Sequence, residues 1–333
     1  MSGLFSALSL KGVSFENRVV MPPMATNMAT EDGQVTEQIL KHYEERAASR
    51  VGTIIVEHSY MRPDGRVNDR QMGVHSDEVI PGLCELAEGI QKHNCRAIIQ
   101  ITHAGASSKG DASGTVWGAG SKPRPGSDQI PSPMSPEQLK EIIRKFVEGA
   151  RRCVQAGFDG VQLHGAHGYL LNQFLSPLTN DRDDSFGGTL QNRSSFPLQV
   201  VQAVREEIGQ EALLYYRLGA DDLIDGGLTV EETAPFSELL VDNGVDVVDV
   251  SGGLGGARPS GETGEAYFLP QSKAIKKTIG DEAAVLVTGG IVNATTANRV
   301  VSEKGLDFVG IGRALLRDPY WAVKAADALE EME

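Results

Sequence analysis

Eight short apolar runs, rich in β-branched residues and each closed by Gly, Asp or Asn, punctuate this chain of 333 residues. They lie at 18–21, 53–56, 97–101, 160–163, 213–216, 247–250, 285–288 and 308–311. A short run without polar alternation is the mark of a strand buried on both faces of a parallel sheet. Helical stretches separate the runs. The clearest is 136–155, where Leu139, Ile142, Ile143, Phe146, Val147 and Ala150 recur at three and four residues and form one apolar face. Strand alternating with helix leaves two main architectures, an open doubly wound sheet or a closed (β/α)₈ barrel. A doubly wound dinucleotide fold should carry GxGxxG directly after its first strand, and Pro22, Pro23 and Met24 stand there instead. The cluster Gly252, Gly253, Gly255 and Gly256 follows the sixth run, in the wrong place and at the wrong spacing, and reads as a barrel loop. The expected fold is therefore an α/β (β/α)₈ TIM barrel, a single domain over 1–333. The Pro/Gly/Ser-rich segment 118–136 is a loop after the third strand and not a linker.

Lys+Arg 31 against Asp+Glu 45 gives a net charge of −14, which removes the attraction on which phosphate-backbone and anionic-membrane binding depend. No run approaches the roughly 18 apolar residues of a membrane helix. Cys84, Cys95 and Cys153 are odd in number and far apart, which argues against a disulfide scaffold, a structural zinc and a cysteine-ligated cluster. The first ten residues show no cationic segment leading into an apolar one, so the expected location is the cytoplasm.

In a barrel of this kind the chemistry occurs at the C-terminal ends of the strands. The second run ends in Glu57-His58, the third in Gln100 with His103 beyond, the fourth in His164, the fifth in Arg217 and the sixth in Asp249-Ser251. Gly289-Gly290 follows the seventh and Gly312-Arg313 the eighth. Glycines in these two adjacent loops let backbone N–H groups approach an anion, with helix dipoles and Arg313 adding positive charge, although glycines also simply make tight turns. His164 and His167 can donate to one oxygen, and Tyr169 can give or accept a proton; the alternatives are structural histidines or a metal pair lacking a third ligand, and no metal is expected. Arg217 needs an anion or carbonyl at the mouth, or a salt bridge to Asp221 or Asp222. Gln100 suits a heterocyclic amide edge or packs a loop. No lysine ends a strand, which argues against Schiff-base chemistry.

Five stretches, in this order, resemble the old yellow enzyme family of FMN-dependent ene-reductases: FENRVVMPPMAT at 15–26, QITHAG at 100–105, HGAHGYLLNQFLSPLTNDRDDSFGGTLQNRSSF at 164–196, YRLGADDLIDGGLT at 216–229, and VTGGI with GIGRALLRDPYW within 287–321. The likeness covers nearly the whole chain and is nearest in motif to the barrel of the 2,4-dienoyl-CoA reductase and NADH oxidase branch. It implies FMN at the barrel mouth, lined by Pro22, Pro23, Met24 and Ala25, with His58 nearby, Gln100 on the pyrimidine edge and Arg217 beside N1. Gly289, Gly290, Gly312 and Arg313 would take the phosphate. His164 and His167 would hold a substrate carbonyl, and Tyr169 would protonate the α-carbon. NADH or NADPH would be the donor, reducing FMN directly, and a small unsaturated carbonyl compound the acceptor, in an enzyme that could form a homo-oligomer. Within the same resemblance, an NADH oxidase, an amine dehydrogenase-like flavoenzyme or a non-catalytic flavin-binding subunit of an electron-transfer complex are the alternatives. Ala25 stands where many small members carry Cys or Thr.

Overall fold

Runs that bury both faces of a strand have no solvent edge to offer, and here they resolve the problem by closing on themselves. In the computed structural model, which describes residues 3–332, the eight strands pair in parallel in chain order until the last meets the first. Met1, Ser2 and Glu333, the ends of the 1–333 span, lie outside the described residues. The strands are β1 (Val19–Met21), β2 (Thr53–Tyr60), β3 (Arg96–Thr102), β4 (Gly160–Gly165), β5 (Leu213–Gly219), β6 (Val247–Ser251), β7 (Ala284–Val287) and β8 (Phe308–Gly310). Helices pack around the outside, as the alternating order requires. The helix Pro136–Gln155 has the expected bounds; Ser135 and Gln138 form a capping box at its start, and its buried stripe includes Leu139, Ile142, Phe146 and Ala150.

Successive strand residues point to opposite faces, so every second one enters the barrel. Val20, Ile55, Ile98, Leu213, Val247 and Phe308 meet there in a cluster separate from the larger core between strands and helices. An antiparallel hairpin, Leu8–Leu10 with Val13–Phe15, closes the N-terminal end of the barrel, and the Phe15 ring meets Phe308 edge-on at 5.0 Å. Two strands run well past their apolar runs. β2 continues through Glu57 and His58 to Tyr60, and β5 through Arg217 to Gly219. The backbone ladder is indifferent to side-chain polarity, so polar residues expected after the strands are held inside them. Pairing of β2 with β3 slips between Val56 and Ser59, a bulge centred on Glu57-His58. Among the described residues no helix is long and apolar enough to cross a membrane.

Candidate active site

The inward alternation that builds the barrel floor turns polar toward the C-terminal mouth: Ile98 gives way to Gln100, Gly160 to Gln162, Tyr215 to Arg217, and Val247 to Asp249 and Ser251. The Gln100 amide donates to Gln162 Oε1 at 2.7 Å, and Gln162 Nε2 donates to Asp249 Oδ2 at 3.0 Å. Arg217 Nε lies 3.5 Å from the same carboxylate oxygen. All four side chains are buried. Burial pushes the Asp249 carboxyl above its ordinary range, and the Arg217 charge opposes that rise. The counter-ion of Arg217 is thus Asp249 and neither Asp221 nor Asp222. Asp222 is occupied by the Ser176 hydroxyl and by the Leu228 and Leu254 amides, while Asp221 accepts from the Leu223 amide. Arg217 Nε and Asp249 Oδ1 remain without hydrogen bonds in this buried layer.

Above the layer the fourth strand delivers its aromatic trio. The His164 ring lies 5.1 Å from His167 and 4.7 Å from Tyr169, and His58 from the β2 bulge lies 5.8 Å from Tyr169. His164 Nδ1 accepts from the Ala166 amide at 3.3 Å, which leaves the proton of a neutral ring on Nε2. His167 sits at φ 57°, a conformation uncommon for a side chain of its size, and its Nε2 lies 2.8 Å from Ser251 Oγ. Burial holds both imidazoles well below their ordinary pKa, reinforced by His167 and Arg217 at His164 and by Arg217 and His58 at His167. Burial raises the Tyr169 phenol above 10. The trio is neutral at pH 7: two imidazoles and one protonated phenol.

Beside Arg217 opens a cleft with about 680 Å³ of empty space, lined by Pro22, Met24, Arg217, Gly289, Gly290, Gly312 and Arg313 from the expected set. Gly289 at φ 125° and Gly290 at φ 71° turn the chain after β7 where a side chain has no room; a Cβ at 289 would stand 2.8 Å from the Tyr267 amide nitrogen. Pro23 and Ala25 do not line this cleft, Gln100 is turned into the polar layer, and His58 stands with Tyr169. The sequence reading missed Arg258 and Tyr267, both on the cleft wall, and the roles of Ser251, Gln162 and Asp249. Arg313 Nη2 approaches Tyr267 Oη at 3.3 Å. Alternation along β6 was the available signal for Asp249 and Ser251, since both share the inward face with Val247.

The residues present fit FMN. Two arginines and a side-chain-free double-glycine turn supply an anion cradle, and the unpartnered Nε of Arg217 supplies a buried cation next to it. The chain matches the NADH:flavin oxidoreductase / NADH oxidase family over residues 3–332. It is 38% identical over 330 residues to an NADPH dehydrogenase of Geobacillus sp. (strain WCH70), covering 98% of this chain and 94% of that one. It is 35% identical over 333 residues to an NADH oxidase of Thermoanaerobacter brockii, covering 97% of this chain but 50% of the relative, so it spans about half the length of that protein. Among solved structures, 2-naphthoyl-CoA reductase in complex with 2-naphthoyl-CoA superposes with a TM-score of 0.92 at 26% identity, over 98% of this chain and 52% of the other. Morphinone reductase, at 24% identity and a TM-score of 0.85 over 98% and 90% of the two chains, shares the fold. A closed eight-stranded barrel with a family match over almost its whole length, this chain belongs to the NADH:flavin oxidoreductase / NADH oxidase family and is a flavin-dependent NAD(P)H oxidoreductase.

Proposed function

We propose that this barrel works as one catalytic domain that reduces the C=C bond of α,β-unsaturated carbonyl compounds. The observation that carries the reading is the neutral trio His164, His167 and Tyr169 gathered next to the Arg217 cleft. Bound FMN supplies the two-electron chemistry, accepting reducing equivalents from NAD(P)H and passing them to the β-carbon of the alkene. Gly289, Gly290, Gly312 and Arg313 would hold its phosphate, Pro22, Met24 and Arg217 would hold the rest of it in the same cleft, with Pro23 and Ala25 in the segment that carries Pro22 and Met24, and Gln100 would reach it from the polar layer. His164 donates from Nε2 to the substrate carbonyl, the proton position fixed by the Ala166 amide on its other nitrogen. His167 joins it when the carbonyl oxygen replaces Ser251 as the partner of its Nε2. Negative charge accumulates on that oxygen as the β-carbon is reduced, and the two imidazole donors stabilise it. Tyr169 then gives its proton to the α-carbon, a role suited to a phenol that burial keeps protonated.

The test is an anaerobic one. Protein reconstituted with FMN and reduced by one equivalent of NADPH should regain its oxidised spectrum on addition of cyclohex-2-enone and release one equivalent of cyclohexanone. Flavin that stays reduced with enones yet reoxidises in dioxygen, or that is reduced by methylamine, overturns the reading.

A further inference from the structure

His58 is an imidazole of the mouth that the mechanism above does not use. It comes from the bulge in β2, a device that re-aims a side chain beside an active site. Its orientation and tautomer follow from three contacts. The Val67 amide donates to Gln71 Oε1 at 2.8 Å, which settles which end of the Gln71 amide is oxygen. Gln71 Nε2 therefore carries the hydrogens, and it reaches both the His58 carbonyl at 3.0 Å and His58 Nδ1 at 2.8 Å. Nδ1 must accept, so the ring proton is on Nε2. His58 is 9% exposed, and its Nε2 has no hydrogen-bond partner among the described residues without being sealed from solvent. Burial and the Arg217 charge lower its pKa to about 4, so the donor is neutral across the working range.

The Tyr169 ring neighbours both this donor and His164, with ring centroids 5.8 and 4.7 Å away. We propose that His58, oriented by Gln71, is a specificity-determining residue whose Nε2–H receives a second hydrogen-bond acceptor of the substrate, so that the pocket favours unsaturated carbonyl compounds bearing another oxygen on the far side of the alkene from the activating carbonyl. This rests on the site reading above: if the carbonyl lies at His164 and His167 and the α-carbon at Tyr169, a group continuing past Tyr169 arrives at His58. A buried donor built for an acceptor discriminates against ligands lacking one, since the N–H is then left unpaired.

Equilibrium binding to the oxidised, FMN-loaded protein tests this without turnover, using 4-hydroxybenzaldehyde and 4-methylphenol, which share a phenol oxygen and differ in whether the para group accepts a hydrogen bond. The unaltered protein should bind the aldehyde more tightly, and His58→Leu should shrink that ratio about fivefold to tenfold, the value of one neutral hydrogen bond. The ratio of kcat/KM for cyclohex-2-ene-1,4-dione over cyclohex-2-enone should fall by the same factor. His58→Gln, which keeps a donor, should recover part of the ratio, and Gln71→Leu, which frees the tautomer while leaving the ring, should lose part of it. An unchanged ratio in His58→Leu overturns the inference while leaving the site reading intact, as does an equal loss for both ligands accompanied by weaker FMN binding. If neither ligand binds the unaltered protein, the site reading fails and the inference fails with it.

Discussion

Arg217 is buried against one carboxylate and has an unused Nε, so its charge is available to a cofactor but is already partly balanced by Asp249. Replacing it with alanine removes a charge-assisted contact of the size that typically changes affinity by about ten- to a hundredfold, and FMN titration should show that loss. The reduction potential of the flavin should fall as well, because the cation favours the anionic reduced form; potentiometry showing no change or a rise would place Arg217 elsewhere. The same substitution strands Asp249 in the barrel interior, and leaving one member of a buried pair is destabilising by about 3–5 kcal/mol. The double variant Arg217→Ala, Asp249→Asn should therefore melt above the single one. Protonation states make a further prediction. The His164 and His167 pKa values lie well below 6.5 and that of Tyr169 above 10, so no group of the trio changes charge between about pH 6 and pH 9. The rate of enone reduction by reduced enzyme should be flat over that range and should fall only as pH rises through the phenol pKa, where the acid is lost. A bell centred near neutrality would contradict the assignment.

The turn after β7 and the start of the helix Pro136–Gln155 give a matched pair of tests on single elements. Gly289→Ala forces a side chain into φ 125° with its Cβ 2.8 Å from the Tyr267 amide nitrogen, so the turn must shift. FMN affinity should drop about tenfold or more. Ser135→Ala removes the cap on a helix outside the barrel, at a cost of about 1 kcal/mol. Its melting temperature should fall by about 2 °C with FMN affinity unaltered. Equal effects of the two on cofactor binding would mean that the glycine turn is not the cradle. At this scale the sequence was a good guide wherever an element had length or a continuous apolar run. It failed where neither existed: the three-residue strands of the hairpin under the barrel cannot display a period, and the bulge at Glu57-His58 depends on the register of β3. β2 and β5 also end later than expected, because Glu57 and Arg217 interrupt apolarity without interrupting the ladder.

Eightfold alternation made the closed barrel legible from the sequence, and Gly289-Gly290 after β7 and Gly312-Arg313 after β8 line one cleft. The polar layer was not legible, since Gln100 and Gln162, 62 residues apart, meet through the register of β3 on β4, and Gln162 and Asp249, 87 apart on non-adjacent strands, meet only inside the curved sheet. Arg258 and Tyr267 were hidden for the same reason, in a glycine-rich segment whose sequence reads as loop. The net charge of −14 gives a field that opposes the long-range approach of anionic NAD(P)H. Screening weakens that field, so the second-order rate constant for flavin reduction should rise with added salt at low ionic strength. A falling rate would show that the local arginines steer the donor instead. The central claim, that Tyr169 protonates an alkene held by His164 and His167, is tested most directly by anaerobic stopped-flow on Tyr169→Phe, following the two half-reactions separately. Reduction by NADPH should stay within about threefold of the unaltered protein, while reoxidation by cyclohex-2-enone should slow by about 10²–10⁴, the usual contribution of a positioned acid. Equal slowing of both half-reactions, or reoxidation at the unaltered rate, would contradict the account.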